Sequence, residues 1–250
     1  MPDPNLRSEF LQDGFCVQRQ FLNTLEIEQL SAELERYIRD VVPGLPATYS
    51  FYDDPSRPDT LKQMQKMNVD SFFDAYSRHP KWVGLAETLL DEPAKLESME
   101  WFNKPAGTVH PTPPHQDNYY INAEPANILT IWVALDEVDE ENGCLRFVPG
   151  SHTAGRREHS VTQVLGFSQG IQHYGPKEQS REVVVPLSPG DATVHHGWTI
   201  HRADPNMSAT RQRRSMAMVF LGESAGFDEE RLRAHREQLS RQHEKLLPQE

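Results

Sequence analysis

The chain has 250 residues, of which 37% are hydrophobic and 9% aromatic, and a formal net charge of −12. This composition suffices for a hydrophobic core and excludes a disordered chain, while the acidic balance argues against nucleic acid as a partner, because phosphate contacts require clustered Lys and Arg. No apolar run approaches the roughly 18–20 residues of a membrane span, and the polar start of the chain lacks a signal-peptide pattern. The two cysteines, Cys16 and Cys144, fit neither a disulfide framework nor a CxxC motif, so we expect a cytoplasmic protein without membrane contact.

The first third of the chain is expected to be mainly helical, over residues 24–91. Phe15 and Val17 supply the apolar positions of a short strand that precedes it. Thr24 is the expected N-cap of a first helix, whose apolar residues follow at helical spacing. The remaining predicted elements of this part are a proline-rich loop over 43–60 and helices near 69–78 and 80–91.

From about residue 96 to 222 the chain is expected to form β-structure. Short segments rich in β-branched and aromatic residues, such as "NILTIWVALDEV" and "EVVVPLS", alternate with Pro, Gly, Asn and Asp. Many short strands joined by turns favour a sandwich or barrel over βαβ units. The long insertion 153–181 is typical of a functional lid, and the charged residues 227–246 suit a solvated C-terminal helix. With no repeat or linker, residues 1–250 are expected to form one domain.

The stretch "PPHQDNYYIN" places His115 and Asp117 two positions apart. Alternate side chains of a strand share a face, so these two can converge on one point. Two histidines and one carboxylate with open positions suit non-haem Fe(II) oxygen chemistry, although Mn, Ni and Zn accept similar ligands. His201, in "PGDATVHHGWTIHRAD", is the best third ligand, and His195 and His196 compete for that role.

Arg213 stands at the start of the otherwise apolar strand "RRSMAMVFL". A guanidinium binds a carboxylate bidentately, and in an apolar setting it needs an anionic partner. By strand parity Ser215 lies on the same face. The pair therefore indicates a site for one carboxylate group.

Together these pieces resemble the phytanoyl-CoA dioxygenase branch of the Fe(II)/2-oxoglutarate-dependent oxygenases. The matching stretches run in order along most of the chain: "LQDGFCVQRQFLNTLEIEQL", "FNKP", "HQD", "TIWVALDEVDEENGCLRFVPGSH", "PGD…HHGWTIH" and "N-x-S…RR". The resemblance implies a mainly β protein with flanking helices, built on a double-stranded β-helix (jelly-roll, cupin-like) core.

The resemblance also implies roles for single residues. His115, Asp117 and His201 match the catalytic metal triad of the family, and Arg213 matches the residue that binds the distal carboxylate of 2-oxoglutarate. Fe(II), 2-oxoglutarate and O₂ are therefore the expected cofactor and co-substrates.

Two further matches concern the pocket for 2-oxoglutarate. Trp132 matches a tryptophan that borders the co-substrate. Lys62 is the nearest match to an assisting lysine, with Lys66 and Lys104 as alternatives. Together with Ser215, these residues are the expected co-substrate contacts.

Two positions bear on the reaction itself. Ala203 stands where many members have a serine, so one hydrogen bond to 2-oxoglutarate is absent or comes from Ser215. Asp117 keeps the carboxylate that halogenating members lack, so hydroxylation with release of succinate and CO₂ is expected. The acidic chain disfavours an anionic CoA tail, and we expect a small free metabolite as substrate.

Tyr119, Tyr120 and Trp101 are the candidates for substrate contact, since aromatic rings pack on apolar groups or bind cations. Such rings also fill cores, and that alternative stays open here. Two other functions remain compatible with the same ligands. One is a metal-dependent (Zn) hydrolase or isomerase on a cupin-like scaffold, and the other is a non-catalytic cupin-like binding protein.

Overall fold

The computed structural model of the protein describes residues 5–164, 167–227, 232–233 and 237. The helices are α1 (Leu6–Asp13), α2 (Thr24–Arg36), α3 (Ser71–Ser77), α4 (Pro80–Leu90), α5 (Asn118–Ile121) and α6 (Pro176–Gln179). The strands are β1 (Phe15–Gln18), β2 (Ser50–Tyr52), β3 (Leu61–Gln65), β4 (Ala94–Lys104), β5 (Thr112–His115), β6 (Ile128–Ala134), β7 (Leu145–Phe147), β8 (His159–Val164), β9 (Phe167–Ile171), β10 (Val183–Val185), β11 (Ala192–His196), β12 (His201–Ala203) and β13 (Arg213–Gly222).

The strands form two main sheets and a separate hairpin. The major sheet has seven strands in the order β1-β11-β6-β13-β4-β3-β2, the minor sheet has four in the order β10-β7-β12-β5, and β8 pairs with β9. Strand pairs in the described part of the chain are antiparallel. Neighbours that are distant in sequence, such as β4 and β13, are typical of a jelly roll, and the expected fold class is confirmed.

The two faces of the major sheet differ because strand side chains alternate. On one face, Leu129 and Ile131 of β6 join a core with the side chains of α2, α3 and α4. On the other face, Trp132 and Ala134 pack against Leu145 and other residues of the minor sheet. The helices thus cover one side of the major sheet. A functional site can lie on its other side, in the interior between the two sheets.

The N-terminal part contains more β-structure than its sequence indicates. The predicted strand at 15–18 and the predicted helices are present, but the expected loop 43–60 contains β2, and β3 follows it. Thr24 is the first residue of α2 rather than its N-cap. Asn23 is the cap: its side chain accepts from the Glu26 amide at 3.0 Å, and the Glu26 carboxylate accepts from the Asn23 amide at 2.7 Å.

The described residues of the insertion 153–181 include the strands β8 and β9, which pair with each other and pack on β5, and α6. Apart from Phe227, Leu232, Arg233 and Glu237, the expected C-terminal helix over 227–246 lies outside the described residues. Within the ranges that the structure describes, no helix has the length and apolar character needed to cross a bilayer.

Candidate metal centre and its cavity

His115 and His201 lie side by side on paired strands of the minor sheet. They are direct partners in the β5–β12 register, and their ring centroids are 4.1 Å apart. The Nδ1 of His115 lies 2.8 Å from the Pro113 carbonyl, and the Nδ1 of His201 lies 3.1 Å from the Thr199 carbonyl. Because a carbonyl only accepts, each ring donates from Nδ1 and keeps the lone pair on Nε2, as metal-binding histidines do.

Asp117 completes the group, but by a turn and not by strand parity. Strand β5 ends at His115, and Asp117 has helical backbone angles (φ −60°, ψ −39°) as the N-cap of α5. Its Oδ1 lies 3.4 Å from the Nε2 of His115 and 3.5 Å from the Nε2 of His201. The three ligand atoms all lie within 4.8 Å of one another. The prediction that an extended strand aims both residues is therefore wrong, although the two side chains do converge.

His195 holds the other oxygen of Asp117 and does not join the three ligands. Its Nε2 lies 2.9 Å from Oδ2 of Asp117, and the Thr130 hydroxyl donates to the same oxygen at 2.5 Å. His196, the other competitor, accepts from the Trp198 amide. Among the candidates for third ligand, the structure thus brings His201 to the site and uses His195 as an outer partner of the carboxylate.

The electrostatics of the group favour a bound cation. Burial alone would raise the pKa of Asp117, but its neighbours His201, His115 and His195 outweigh that effect and hold the pKa well below its usual value. Burial, with the charge of His115, holds the pKa of His201 well below its usual value. The group therefore offers an ionised carboxylate and a neutral imidazole at neutral pH, which are the protonation states that a divalent metal requires.

Gln116, between the two ligands, anchors three segments. It is fully buried, and its amide nitrogen donates to the carbonyls of Gly155 and Trp198, at 2.8 Å in each case. Its side-chain oxygen accepts from the Arg157 amide at 2.8 Å. The Gln116 side chain thus connects the segment 115–117 to the start of the insertion 153–181 and to the turn before His201. The sequence gives no signal for this role of Gln116.

Two buried cations lie at another part of the same interior. Arg213 on β13 is the register partner of Lys104 on β4. The two residues are 3% and 5% exposed, respectively. Burial lowers the pKa of Arg213 to about 10, and burial with the charge of Arg213 lowers the pKa of Lys104 well below its usual value. Within the described ranges, neither makes a salt bridge. Buried charges without a counterion are costly, so this pair marks a place for an anion.

Ser215 and Trp132 border this pair as the sequence predicts. The Nη1 of Arg213 lies 3.3 Å from the Ser215 hydroxyl, so the expected shared face is present. The guanidinium carbon lies 5.3 Å from the centre of the Trp132 ring. Ala203 is fully buried in the cluster between the sheets.

The three candidate lysines have different surroundings. Lys62 forms an ion pair with Asp53 at 2.9 Å. Lys66 is exposed and lies over the Tyr49 ring at 5.0 Å. Lys104 donates to the His110 carbonyl at 3.1 Å and is the lysine that stands opposite Arg213. Both Lys62 and Lys104 reach the interior cavity.

A cavity of about 320 Å³ joins the metal ligands and the cations. It is lined at one part by His115, Asp117 and His201, and at another by Lys104 and Arg213. Its remaining walls include apolar and polar side chains: Phe102, Tyr120, Ile121, Val219, Gln63 and Glu100. One cavity is therefore lined by a set of metal ligands and a set of anion ligands.

Only one of the three predicted substrate residues borders this cavity. Tyr120 lines it, and its hydroxyl donates to the Gln169 carbonyl at 2.9 Å, which links the wall to β9. Tyr119 is stacked on His159 with ring centroids 3.8 Å apart. Trp101 is 3% exposed within the core between the major sheet and the helices. The alternation of β4 turns Trp101 to the helix side, so its assignment to the substrate is wrong.

Comparison with known proteins gives consistent results. The family model described as phytanoyl-CoA dioxygenase (PhyH) matches residues 10–215. The phytanoyl-CoA dioxygenase domain-containing protein 1 of Bos taurus is 34% identical over 166 residues, which are 63% of this chain and 55% of that protein. The chain thus matches about half the length of this relative.

Two other proteins are similar over comparable or larger parts of the chain. The 1-deoxypentalenic acid 11-beta-hydroxylase of Streptomyces exfoliatus is 30% identical over 185 residues, 64% of each chain. The crystal structure of the epimerase SnoN in complex with Fe³⁺, alpha ketoglutarate and nogalamycin RO has a TM-score of 0.70 and 25% identity, and covers 91% of this chain and 88% of its own.

Proposed function

This chain belongs to the phytanoyl-CoA dioxygenase family, and from that premise we propose that it is an Fe(II)- and 2-oxoglutarate-dependent dioxygenase. In the proposed reaction it hydroxylates a small-molecule metabolite and releases succinate and CO₂. His115, Asp117 and His201 bind the metal, and Arg213 binds the far carboxylate of 2-oxoglutarate.

The observation that carries this proposal is the presence of both ligand sets in one cavity. The His-Asp-His group has the ligand atoms and protonation states that suit Fe(II) with open positions. The buried cations supply what a dicarboxylate needs at its other end, since a guanidinium binds carboxylate bidentately. A Zn hydrolase would leave the buried Arg213 and Lys104 without a purpose. SnoN, with its bound Fe³⁺ and alpha ketoglutarate, supports the same cofactor pair for this chain.

Bound in this cavity, iron and 2-oxoglutarate would supply the oxidising chemistry. The chain's own residues position these groups and exclude water. Thr130 and His195 fix the orientation of the Asp117 carboxylate, and Ser215 and Trp132 border the guanidinium of Arg213. The bond from Tyr120 to Gln169 connects the cavity wall to the insertion 153–181, and this contact supports a lid role for the insertion.

Hydroxylation is the outcome that Asp117 favours, because its carboxylate fills the position that a halide would need. The similarity to the Streptomyces exfoliatus hydroxylase supports this choice. SnoN is an epimerase, so product analysis has to separate the two outcomes. A cavity of about 320 Å³ and a net charge of −12 favour a small metabolite over a CoA thioester.

The test is a metabolite screen under air with Fe(II), ascorbate and 2-oxoglutarate. We expect succinate formation that a substrate stimulates, and a product with one added oxygen atom by mass spectrometry. If no succinate forms with any metabolite, the dioxygenase proposal fails. If succinate forms with a product that has gained no oxygen, the hydroxylase assignment fails and an epimerase-like outcome replaces it. Saturable turnover of a CoA thioester would contradict the free-metabolite assignment.

A further inference from the structure

Glu100 is a carboxylate in the cavity wall that neither the metal centre nor the cation pair uses. It lies on β4, four residues before Lys104, and its side chain lines the cavity. Two other carboxylates line the same cavity, and both have partners there: Asp53 forms an ion pair with Lys62, and Asp117 accepts from the Thr130 hydroxyl and lies against the histidines of the metal centre. Glu100 forms no salt bridge with any residue that the structure describes.

The hydrogen bond of Glu100 comes from Gln63 on β3. The Gln63 amide nitrogen donates to Oε2 of Glu100 at 2.9 Å, and Gln63 itself is 6% exposed. Gln63 is the register partner of Phe102, so it lies diagonally across from Glu100. A fixed, buried amide on one oxygen orients the carboxyl and leaves its other oxygen able to accept from a ligand in the cavity.

The rows of the major sheet place Glu100 apart from the cation pair. Glu100 is the partner of Ala217, and Ala217 is the partner of Trp132. The small Ala217 side chain leaves space above the sheet between the carboxyl and the indole. Arg213 and Lys104 form a separate row, four residues along β4 and β13. A rise of about 3.4 Å per residue puts these rows roughly 14 Å apart along the strands.

Burial first, and then the charge of Asp117, raise the pKa of Glu100 to about 7. A carboxyl in this condition is held between its neutral and ionised forms at neutral pH. A cation beside it shifts the balance to the ionised form and gains a charge-assisted hydrogen bond. A neutral apolar ligand gains nothing from it and leaves a polar group buried without its partner.

We propose that Glu100, oriented by Gln63, is the specificity-determining residue of this cavity and binds a protonated amine of the substrate. The substrate class is therefore a small apolar molecule that carries a basic nitrogen, with its apolar part against Phe102, Ile121 and Val219. This inference rests on the proposed function, because it names the substrate of the same site.

The test compares two ligands of equal shape on the full chain, loaded with Fe(II) and 2-oxoglutarate without oxygen so that no turnover occurs. Benzylamine is a cation at pH 7.5, and benzyl alcohol is its neutral counterpart. Their dissociation constants are measured by ligand-observed NMR. We expect benzylamine to bind at least about tenfold more tightly, since hydrogen bonds to charged groups contribute that much.

Two variants distinguish the effect of a carboxylate in the cavity from that of a carboxylate on the surface. Glu100→Gln keeps the shape and removes the charge, and we expect it to abolish the preference for benzylamine. Glu97→Gln is the matched control: it makes the same charge change on the same strand at an exposed position, and it should keep the preference. Equal binding of the two ligands by the unmodified chain would overturn the inference, and so would a preference that survives in Glu100→Gln. Loss of 2-oxoglutarate binding in Glu100→Gln would also overturn it, by placing Glu100 in the co-substrate site.

The outcome is distinguishable from a failure of the proposed function. Binding of Fe(II) and of 2-oxoglutarate is measured first on the same samples by calorimetry. If both bind and no preference for the amine exists, the inference alone fails. If neither binds but the amine preference depends on Glu100, the dioxygenase proposal fails and the assignment of Glu100 stands.

Discussion

The two ends of the cavity carry opposite charges. We call the part lined by His115, Asp117 and His201 the metal end, and the part lined by Lys104 and Arg213 the cation end. At the metal end, the Asp117 carboxylate accepts from the Thr130 hydroxyl and lies beside His115, His195 and His201, so this end of the cavity holds a negative charge. At the cation end, Arg213 and Lys104 are register partners without a carboxylate in salt-bridge range among the described residues. The first arrangement can be completed by a metal on the histidine lone pairs, and the second by an anion. A substitution at one end should therefore weaken binding at that end and leave binding at the other end unchanged.

The largest expected effect is a loss of Fe(II) affinity through a substitution at the metal end. His201→Ala removes one ligand, and we expect Fe(II) affinity to fall by at least about 100-fold, because even loss of an outer partner costs up to that much. Calorimetric titration with Fe(II) without oxygen measures it. His173→Asn is the control, since this exposed histidine has a φ of 57°, which asparagine tolerates. Unchanged Fe(II) affinity in His201→Ala would remove this residue from the metal site.

The next largest effect is a loss of 2-oxoglutarate affinity through a substitution at the cation end. Arg213→Met keeps the apolar stem and removes the guanidinium, so we expect the dissociation constant of 2-oxoglutarate to rise by about 30-fold or more, with Fe(II) affinity unchanged. Arg214→Met is the matched control, because the neighbouring Arg214 is paired with Asp136 and does not line the cavity. If both variants bind 2-oxoglutarate equally, Arg213 is not its carboxylate ligand.

A smaller effect is expected from the hydrogen bond that holds Asp117 at the metal end. Thr130→Val removes the hydroxyl that holds Asp117, and we expect Fe(II) affinity to fall by about tenfold. Thr193→Val provides the control, because the Thr193 hydroxyl is buried without a hydrogen-bond partner in the described structure, and its loss should leave affinity unchanged. An equal loss in the two variants would mean that the effect is not specific to the hydrogen bond from Thr130 to Asp117.

The smallest effect concerns the wall between the two ends. The pKa of Glu100 is raised to about 7, so the folded chain keeps a proton on this group that the unfolded chain has already lost. The free energy of unfolding of the metal-free protein therefore decreases through this group as pH rises from about 4.5 to 7. Glu100→Gln should remove about 1 kcal/mol of this decrease, a value discounted for exposure to the cavity. Urea titrations at pH 5 and pH 8 measure it, and parallel pH profiles of the two proteins would contradict it.

Much of the fold could be predicted because its causes are local. The apolar residues of β6 and β13 predict strands directly. The shared face of Arg213 and Ser215 then follows from the alternation of side chains along a strand. The start of α2 was misplaced by one residue, because Asn23 and Thr24 are both good caps and only the bonds to Glu26 decide between them. The sequence does not indicate β2 and β3, since β2 pairs with β3, and β3 pairs with β4, whose residues lie about forty positions further along the chain.

For the candidate site, the sequence and its family resemblance predict the set of residues: His115, Asp117 and His201 as metal ligands and Arg213 as the anion-binding group. How these side chains meet is visible in the tertiary structure alone. Asp117 turns toward the histidines because β5 ends before it, and His195 lies behind the carboxylate because β11 pairs with β6. Likewise, only the packing shows that Trp101 faces the helices and that Glu100 faces the cavity beside Gln63. Residue types and their periodicity are encoded locally, whereas the register between distant strands is fixed by packing of the whole chain.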